Sequence, residues 1–177
     1  MKKILGVLLV VIIIGGISAC GSVWKEDSYH GMKYKIPKAW KCETKQLPLW
    51  IGNVAVYTLF DESEGCDFDF YIQVVEPHHI EADGIYKNLE ALMKDELYMV
   101  KSGESATNIE ESSILLDGIS AQKIEYDFRD ESTSPTCNRM VEVSLIKDGR
   151  YIHLWLDDLN DKNEALFNEV LDSIEFK

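Results

Sequence analysis

Met140-Val-Glu-Val-Ser-Leu-Ile146-Lys-Asp148-Gly149-Arg-Tyr151-Ile-His153-Leu-Trp155-Leu156 decides how the chain folds. Two segments of alternating character, residues 140–146 and 151–156, flank Asp148-Gly149, a dipeptide suited to the positive φ angles of a two-residue hairpin turn. The spacing predicts two antiparallel strands. On the second, Ile152, Leu154 and Leu156 fall on one face and Tyr151, His153 and Trp155 on the other, because successive side chains point to opposite sides of a strand. Three π-bearing side chains on one face either pack under a covering helix or line a groove for a ligand or a protein partner.

The same signals recur toward the N-terminus. Residues 120–128 place Gln122, Ile124, Tyr126 and Phe128 on one side, and residues 109–116 run into Asp117-Gly118, a second hairpin signal. Ahead of them Ile85, Leu89, Leu92, Met93 and Val100 recur at helical spacing behind Asp83, a suitable N-cap. Four earlier strands are predicted at 32–36, 40–45, 54–60 and 66–76, the last with Phe68, Phe70, Ile72 and Val74 on one face. Toward the C-terminus, Asp161 and Glu164 resemble a capping box. Leu166, Phe167, Val170, Leu171 and Ile174 follow at helical spacing, and 175–177 can add a short strand. Four strands, a helix, four strands and a helix, with mostly hairpin connections, make an α+β fold: a central antiparallel sheet of about six to eight strands flanked by two main helices.

The first twenty residues carry a different message. Lys2 and Lys3 precede the apolar run 4–14, and the small or apolar residues 15–19 follow. A hydrophobic region of about a dozen residues is short for a bilayer core of about 30 Å, and its small-residue exit suits a signal peptidase. Ile17-Ser18-Ala19-Cys20 resembles the bacterial lipobox, which implies removal of residues 1–19 and diacylation of the Cys20 thiol as the mature N-terminus. The expected organisation is a signal peptide at 1–19, a polar tether at 20–31 and one domain at 32–177. The expected location is the extracytoplasmic face of a cell membrane, held by lipid.

Of 177 residues, 18 are basic and 31 acidic, for a net charge of −13; loss of Lys2 and Lys3 takes the mature chain to −15. Nucleic acid is excluded as a partner, because phosphate binding needs a cationic face and only Lys33-Tyr34-Lys35 gathers positive charge. Anionic lipid would repel such a chain, so the membrane is reached through the acyl chains. Of four cysteines, Cys42, Cys66 and Cys137 remain once Cys20 is acylated. A meander of the second to fourth strands would bring Cys66 back beside Cys42, making those two the preferred disulfide, with all three thiols free as the alternative.

Two stretches together resemble the PsbP-like family, known from a photosystem accessory protein and from bacterial lipoproteins. Tyr34-Lys-Ile36-Pro37-Lys-Ala-Trp40-Lys is similar to its opening hairpin; Gly149-Arg-Tyr151-Ile-His-Leu with Phe167, Leu171, Ser173, Ile174 and Phe176 is similar to its last strand and helix. Ala39 and Ile174 stand where Gly and Phe are common. The resemblance implies an α/β/α sandwich and an accessory or binding role, and no functional residue is carried over with it.

No GxSxG, HExxH, phosphate loop or dinucleotide fingerprint occurs in the sequence, so no enzyme and no cofactor is expected. His78 and His79, beside Glu76 and Glu81, are weak metal-ligand candidates, since adjacent loop side chains diverge. Asp157, Asp158, Asn160 and Asp161 offer oxygens but lack the spacing of a calcium loop. The expected function is a membrane-anchored, non-enzymatic binding or accessory module for an unidentified protein partner. The competing reading is a small-ligand or metal-binding lipoprotein.

Overall fold

The computed structural model describes residues 24–45, 53–61, 66–103, 105–128, 139–157 and 161–177. Their elements in chain order are β1 (Trp24–Tyr29), β2 (Met32–Pro37), β3 (Lys41–Lys45), β4 (Asn53–Asp61), β5 (Cys66–Val75), α1 (Pro77–Asp83), α2 (Leu89–Ser102), β6 (Ala106–Leu116), β7 (Ile119–Phe128), β8 (Arg139–Lys147), β9 (Arg150–Leu156), α3 (Asp161–Asp172) and β10 (Glu175–Phe176). A seven-stranded sheet runs β3-β4-β5-β9-β8-β7-β6, every pair antiparallel, and a three-stranded sheet runs β1-β2-β10. The large sheet is two meanders. The chain leaves β5 at the centre, crosses one face through α1 and α2, and returns from the β6 edge strand by strand until β9 closes against β5.

Both expected hairpin turns form where their chemistry requires. Asp117 and Gly118 have φ of 48° and 76°, and Asp148 and Gly149 have φ of 50° and 70°. His30 and Gly31, at 48° and 82°, make a third such turn and join β1 to β2. Half of the segment expected as a tether at 20–31 is therefore a strand, Trp24–Tyr29, paired with β2. The helices also differ from expectation: a short helix, α1, occupies the segment up to Asp83 that was expected as a loop, and the long helix expected behind Asp83 starts only at Leu89. Pro77 opens α1, and Gly84, in the left-handed region at φ 72°, ends it by donating its N–H to the Ile80 carbonyl at 2.9 Å. Asn88, not Asp83, caps α2, its Oδ1 accepting the Ala91 N–H at 2.9 Å. Ile85, placed in the apolar stripe by its spacing, lies in the link and is exposed. The last helix starts at Asp161 itself, which is thus its first residue rather than its cap.

The main core lies on one face of the large sheet, where Tyr57, Phe70, Ile72, Val143, Leu154 and Leu156 meet Phe167, Val170 and Leu171 of α3 and Met32, Tyr34 and Ile36 of β2. Phe70 sits at its centre, within 5.8 Å of the Trp40 and Tyr57 rings and 5.6 Å of Phe167. The two sheets are joined by a hydrogen bond of 2.5 Å between the Tyr34 and Tyr57 hydroxyls, with Tyr57 Oη also 3.1 Å from Asp27 Oδ2. The chain end is pinned as well: Lys35 N–H donates to Ser173 Oγ at 2.8 Å and Lys177 N–H to the Gly31 carbonyl at 3.1 Å.

The meander of β3, β4 and β5 forms, but it does not create the expected Cys42–Cys66 bond. Cys42 lies opposite Tyr57 and Tyr57 opposite Phe70, four residues beyond Cys66 on β5. Two strand spacings of about 4.8 Å, plus four residues of about 3.4 Å rise, separate the two backbones far beyond the reach of a disulfide, about 7 Å between Cα atoms. Cys42 is free and exposed. Cys20 and Cys137 lie outside the described residues. No helix among the described residues is long and apolar enough to cross a membrane.

Candidate functional site

The face of the large sheet beneath α1 and α2 carries the unusual chemistry. Alternation along β9 turns Tyr151, His153 and Trp155 toward it, as the sequence requires, and the register brings neighbours alongside. Val75 and Ile146 flank Tyr151, Gln73 and Ser144 flank His153, and Tyr71 and Glu142 flank Trp155. The three side chains do not line an open groove. Tyr151 is 0 %, His153 3 % and Trp155 5 % exposed. Tyr151 packs with Val75, Ile80, Leu89 and Leu92, so the covering-helix alternative is what the fold adopts there. Trp155 stacks flat on Tyr71 at 4.3 Å with the planes 3° apart, and the Tyr71 hydroxyl donates to Asp69 Oδ2 at 2.9 Å.

Within that packed layer lies an imidazole between two carboxylates. His153 Nε2 is 3.1 Å from Glu142 Oε2 on β8, and Nδ1 is 3.5 Å from Glu96 Oε2 on α2. The Tyr126 hydroxyl donates to Glu142 Oε1 at 2.5 Å, and the Tyr151 hydroxyl donates to Glu96 Oε2. Ser144 Oγ stands 3.3 Å from Tyr151 Oη. Its members come from three adjacent strands and from α2, so the network ties the helix to β7, β8 and β9. Sequence reading singled out His153 and missed Glu96, Glu142 and Tyr126.

Burial alone would push the His153 imidazole down, but the Glu142 hydrogen bond and the charges of Glu96 and Glu142 outweigh it and hold it above its ordinary value of 6.5. Burial likewise works to raise Glu142, yet the bond to His153, its charge and the Tyr126 hydroxyl bring the carboxyl below its ordinary 4.5. Glu96 stays above that value, because burial exceeds the help it receives from His153 and Tyr151.

The signs set a pH window. Stability from His153 is fully present below 6.5 and is lost as pH rises through its raised folded value; that from Glu142 is present above 4.5 and is lost as pH falls through its lowered one. Glu96 acts in the same direction as His153, since its ionised form is the disfavoured one in the fold. Thermal unfolding followed against pH should therefore peak between about 4.5 and 6.5 and decline above neutrality. His153→Gln should flatten the alkaline limb. An alkaline limb unchanged by that substitution would show that some other group titrates there.

As an arrangement for chemistry, this one is closed. Both ring nitrogens face carboxylates, and the surrounding aromatics leave the imidazole buried. A concavity of about 290 Å³ opens elsewhere, on the small sheet between Asp27, Ser28, Lys33, Lys35 and Ser173, at the lower limit of the sizes typical of ligand sites.

The other candidates fall at the start of α1. His79 Nδ1 accepts the Glu76 N–H at 3.1 Å, and His78, 65 % exposed, points its Nδ1 to within 3.3 Å of Glu76 Oε2. His30, which no spacing argument linked to this segment, approaches from the β1–β2 turn. Among the described residues no group of three or more His, Cys, Asp or Glu side chains is placed so that it could hold a metal ion. Of the acidic group 157–161, residues 158–160 lie outside the described residues.

No protein-family model matches the sequence, and no curated protein matches it. Solved structures do. The solution structure of the cyanobacterial PsbP protein CyanoP from Synechocystis sp. PCC 6803 matches with a TM-score of 0.57 at 15 % identity, over 90 % of this chain and 96 % of that one. A Pseudomonas aeruginosa protein of unknown function, PA94, matches with a TM-score of 0.54 at 10 % identity, over 88 % of this chain and 99 % of that one. At such identities the likeness establishes the architecture, a PsbP-like α+β fold.

Proposed function

We propose that this protein is an extracytoplasmic lipoprotein, anchored through Cys20, whose PsbP-like domain serves as a non-enzymatic binding or accessory module for a protein partner. The observation that carries the reading is the position of Ile17-Ser18-Ala19-Cys20 four residues ahead of β1. Four residues span at most about 14 Å, so acyl chains on Cys20 would hold the Trp24 end of the domain against the headgroups. Two such chains, at about 0.8 kcal/mol per buried methylene, make the attachment effectively permanent.

The accessory role is supported by the closed network around His153, where the titratable groups engage one another. A protein partner is supported by Tyr98 and Met99, each 64 % exposed on α2, because Tyr and Met are enriched where proteins meet. Mass spectrometry of the isolated protein should find residues 1–19 removed and the Cys20 sulfur acylated. Cys20→Ser should move the protein out of the membrane fraction. An unmodified sulfur on a membrane-bound chain, or an uncleaved start, would overturn the anchor. For the partner, a photo-crosslinker at Tyr98 should give a discrete adduct in intact cells. The same probe at exposed Lys94 serves as the control, and equal yields at both positions would count against a partner on α2.

A further inference from the structure

The one gathering of positive charge in the sequence, Lys33 and Lys35, lies on the outer face of the small sheet. Alternation along β2 buries Met32, Tyr34 and Ile36 and leaves the two lysines exposed. The register sets carboxylates beside them: Lys33 lies between Ser28 of β1 and Glu175 of β10, and Lys35 lies opposite Glu26. Among the described residues no ion pair closes between either lysine and a carboxylate. Lys33 instead stands beside Lys177, whose ammonium it holds below its ordinary value by a hydrogen bond first and by its charge second. Two ammonium groups so placed are relieved by an anion. A concavity of about 290 Å³ lies over Glu26, Ser28, Lys33, Lys35 and Glu175. Two more, of about 370 and 340 Å³, share Lys35 as a wall and reach Trp24. Asp27, the remaining charge in the first, is already engaged by the Tyr57 hydroxyl and the Ser28 N–H.

We propose that this face seats the headgroup of a zwitterionic phospholipid of the ethanolamine class, its phosphate against Lys33 and Lys35 and its ammonium against Glu26 and Glu175. The assignment rests on the Cys20 anchor: with at most about 14 Å from that residue to β1, the Trp24 end of the small sheet is held at the bilayer surface. An indole, apolar with one polar N–H, suits the headgroup level there. In an ethanolamine headgroup two carbons separate the phosphate ester oxygen from the nitrogen. Its opposite charges thus stand about 5 Å apart, the spacing of side chains directly opposite on paired strands. Lysine serves the phosphate as a point charge, and the carboxylates accept the N–H groups of a primary ammonium. The quaternary ammonium of choline has no N–H to give and is recognised by aromatic cages, whereas this face presents carboxylates. A purely anionic headgroup would meet Glu26, Glu175 and the repulsion of a strongly acidic chain.

The test uses the mature chain, residues 20–177, carrying Cys20→Ser, so that headgroup binding is read without the anchor. Amide NMR shifts on titration with glycerophosphoethanolamine should saturate and centre on residues 26–28, 33–35 and 175. Lys35→Gln and Glu26→Gln should each weaken that binding about tenfold, the loss of one hydrogen bond to a charged group. Both side chains are exposed and the Lys35 N–H keeps its bond to Ser173, so each variant folds, as circular dichroism checks. The same chain should sediment with vesicles of phosphatidylethanolamine and phosphatidylcholine in equal parts, and stay in solution with phosphatidylcholine alone. Absence of saturable binding overturns the proposal, as does equal binding of glycerophosphocholine or of glycerol phosphate. Binding of the soluble headgroup without capture by the vesicles overturns the lipid assignment. An unacylated Cys20 in the native protein, beside intact headgroup binding by this chain, would count against the anchor and leave the headgroup site standing.

Discussion

Glu142→Ala should lower the stability of the domain by about 3–5 kcal/mol, the usual loss when one member of a buried ion pair is removed and the other stays behind. The Glu142 side chain is 14 % exposed and that of His153 only 4 %, so water cannot replace the missing carboxylate. The Tyr126 hydroxyl loses its acceptor in the same step. For a domain of this size, about 2–4 °C of melting temperature accompanies each kcal/mol, so a fall of about 10 °C is expected at pH 6. The deficit should shrink on acidification below 4.5, as Glu142 itself becomes protonated in the parent protein. A double-mutant cycle with His153→Leu should return a coupling of about 0.5–3 kcal/mol. A loss under about 1 kcal/mol would mean that the carboxylate is solvated and that α2 is held on the sheet by apolar contacts alone.

Phe70→Ala should cost about as much, about 3–5 kcal/mol, through a different mechanism and with no dependence on pH. Its ring is fully buried where β5 meets α3, between Trp40, Tyr57 and Phe167. Truncation opens a cavity walled by three aromatic side chains, from the β2–β3 connection, β4 and α3, which cannot collapse inward together. Phe70→Leu should cost visibly less, since it fills much of that space. Urea unfolding at pH 5 and pH 8 separates the two substitutions: a Phe70→Ala deficit that changes with pH would place a titrating group in the main core.

Much of this fold was readable because its strands obey a strict two-residue period and two of its turns are Asp-Gly. The assignments of Ile152, Leu154 and Leu156 to one face and of Tyr151, His153 and Trp155 to the other followed from that period alone, and the register agrees. His30-Gly31 performs the same turn with a less telling first residue, in a polar stretch beside the lipobox-like segment, and so β1 passed for a tether. The late start of α2 was hidden because Ile85 keeps the helical spacing of Leu89 and Leu92 although Asn88 is the cap, and α1 was missed because seven residues carry too short a pattern to show a period. The His153 network was half visible. Glu96 occupies a place inside the apolar stripe of α2, four residues after Leu92 and three after Met93, and a carboxylate there signals a buried partner. Glu142 gave no such signal, because polar residues alternating along β8 look the same whether they face solvent or a covering helix. The Cys42–Cys66 expectation failed on register, which strand order alone does not supply.

The closure of β9 against β5 has a bearing on how the molecule is made. Gln73 and His153 are neighbours in the sheet yet 80 positions apart in the chain. Contacts so distant in sequence slow folding, and an unpaired central strand invites association with other chains. For a polypeptide that emerges from its amino end, β5 stands open until nearly the last strand has arrived. Shielding of that edge during biogenesis is then the step on which the yield of native protein depends.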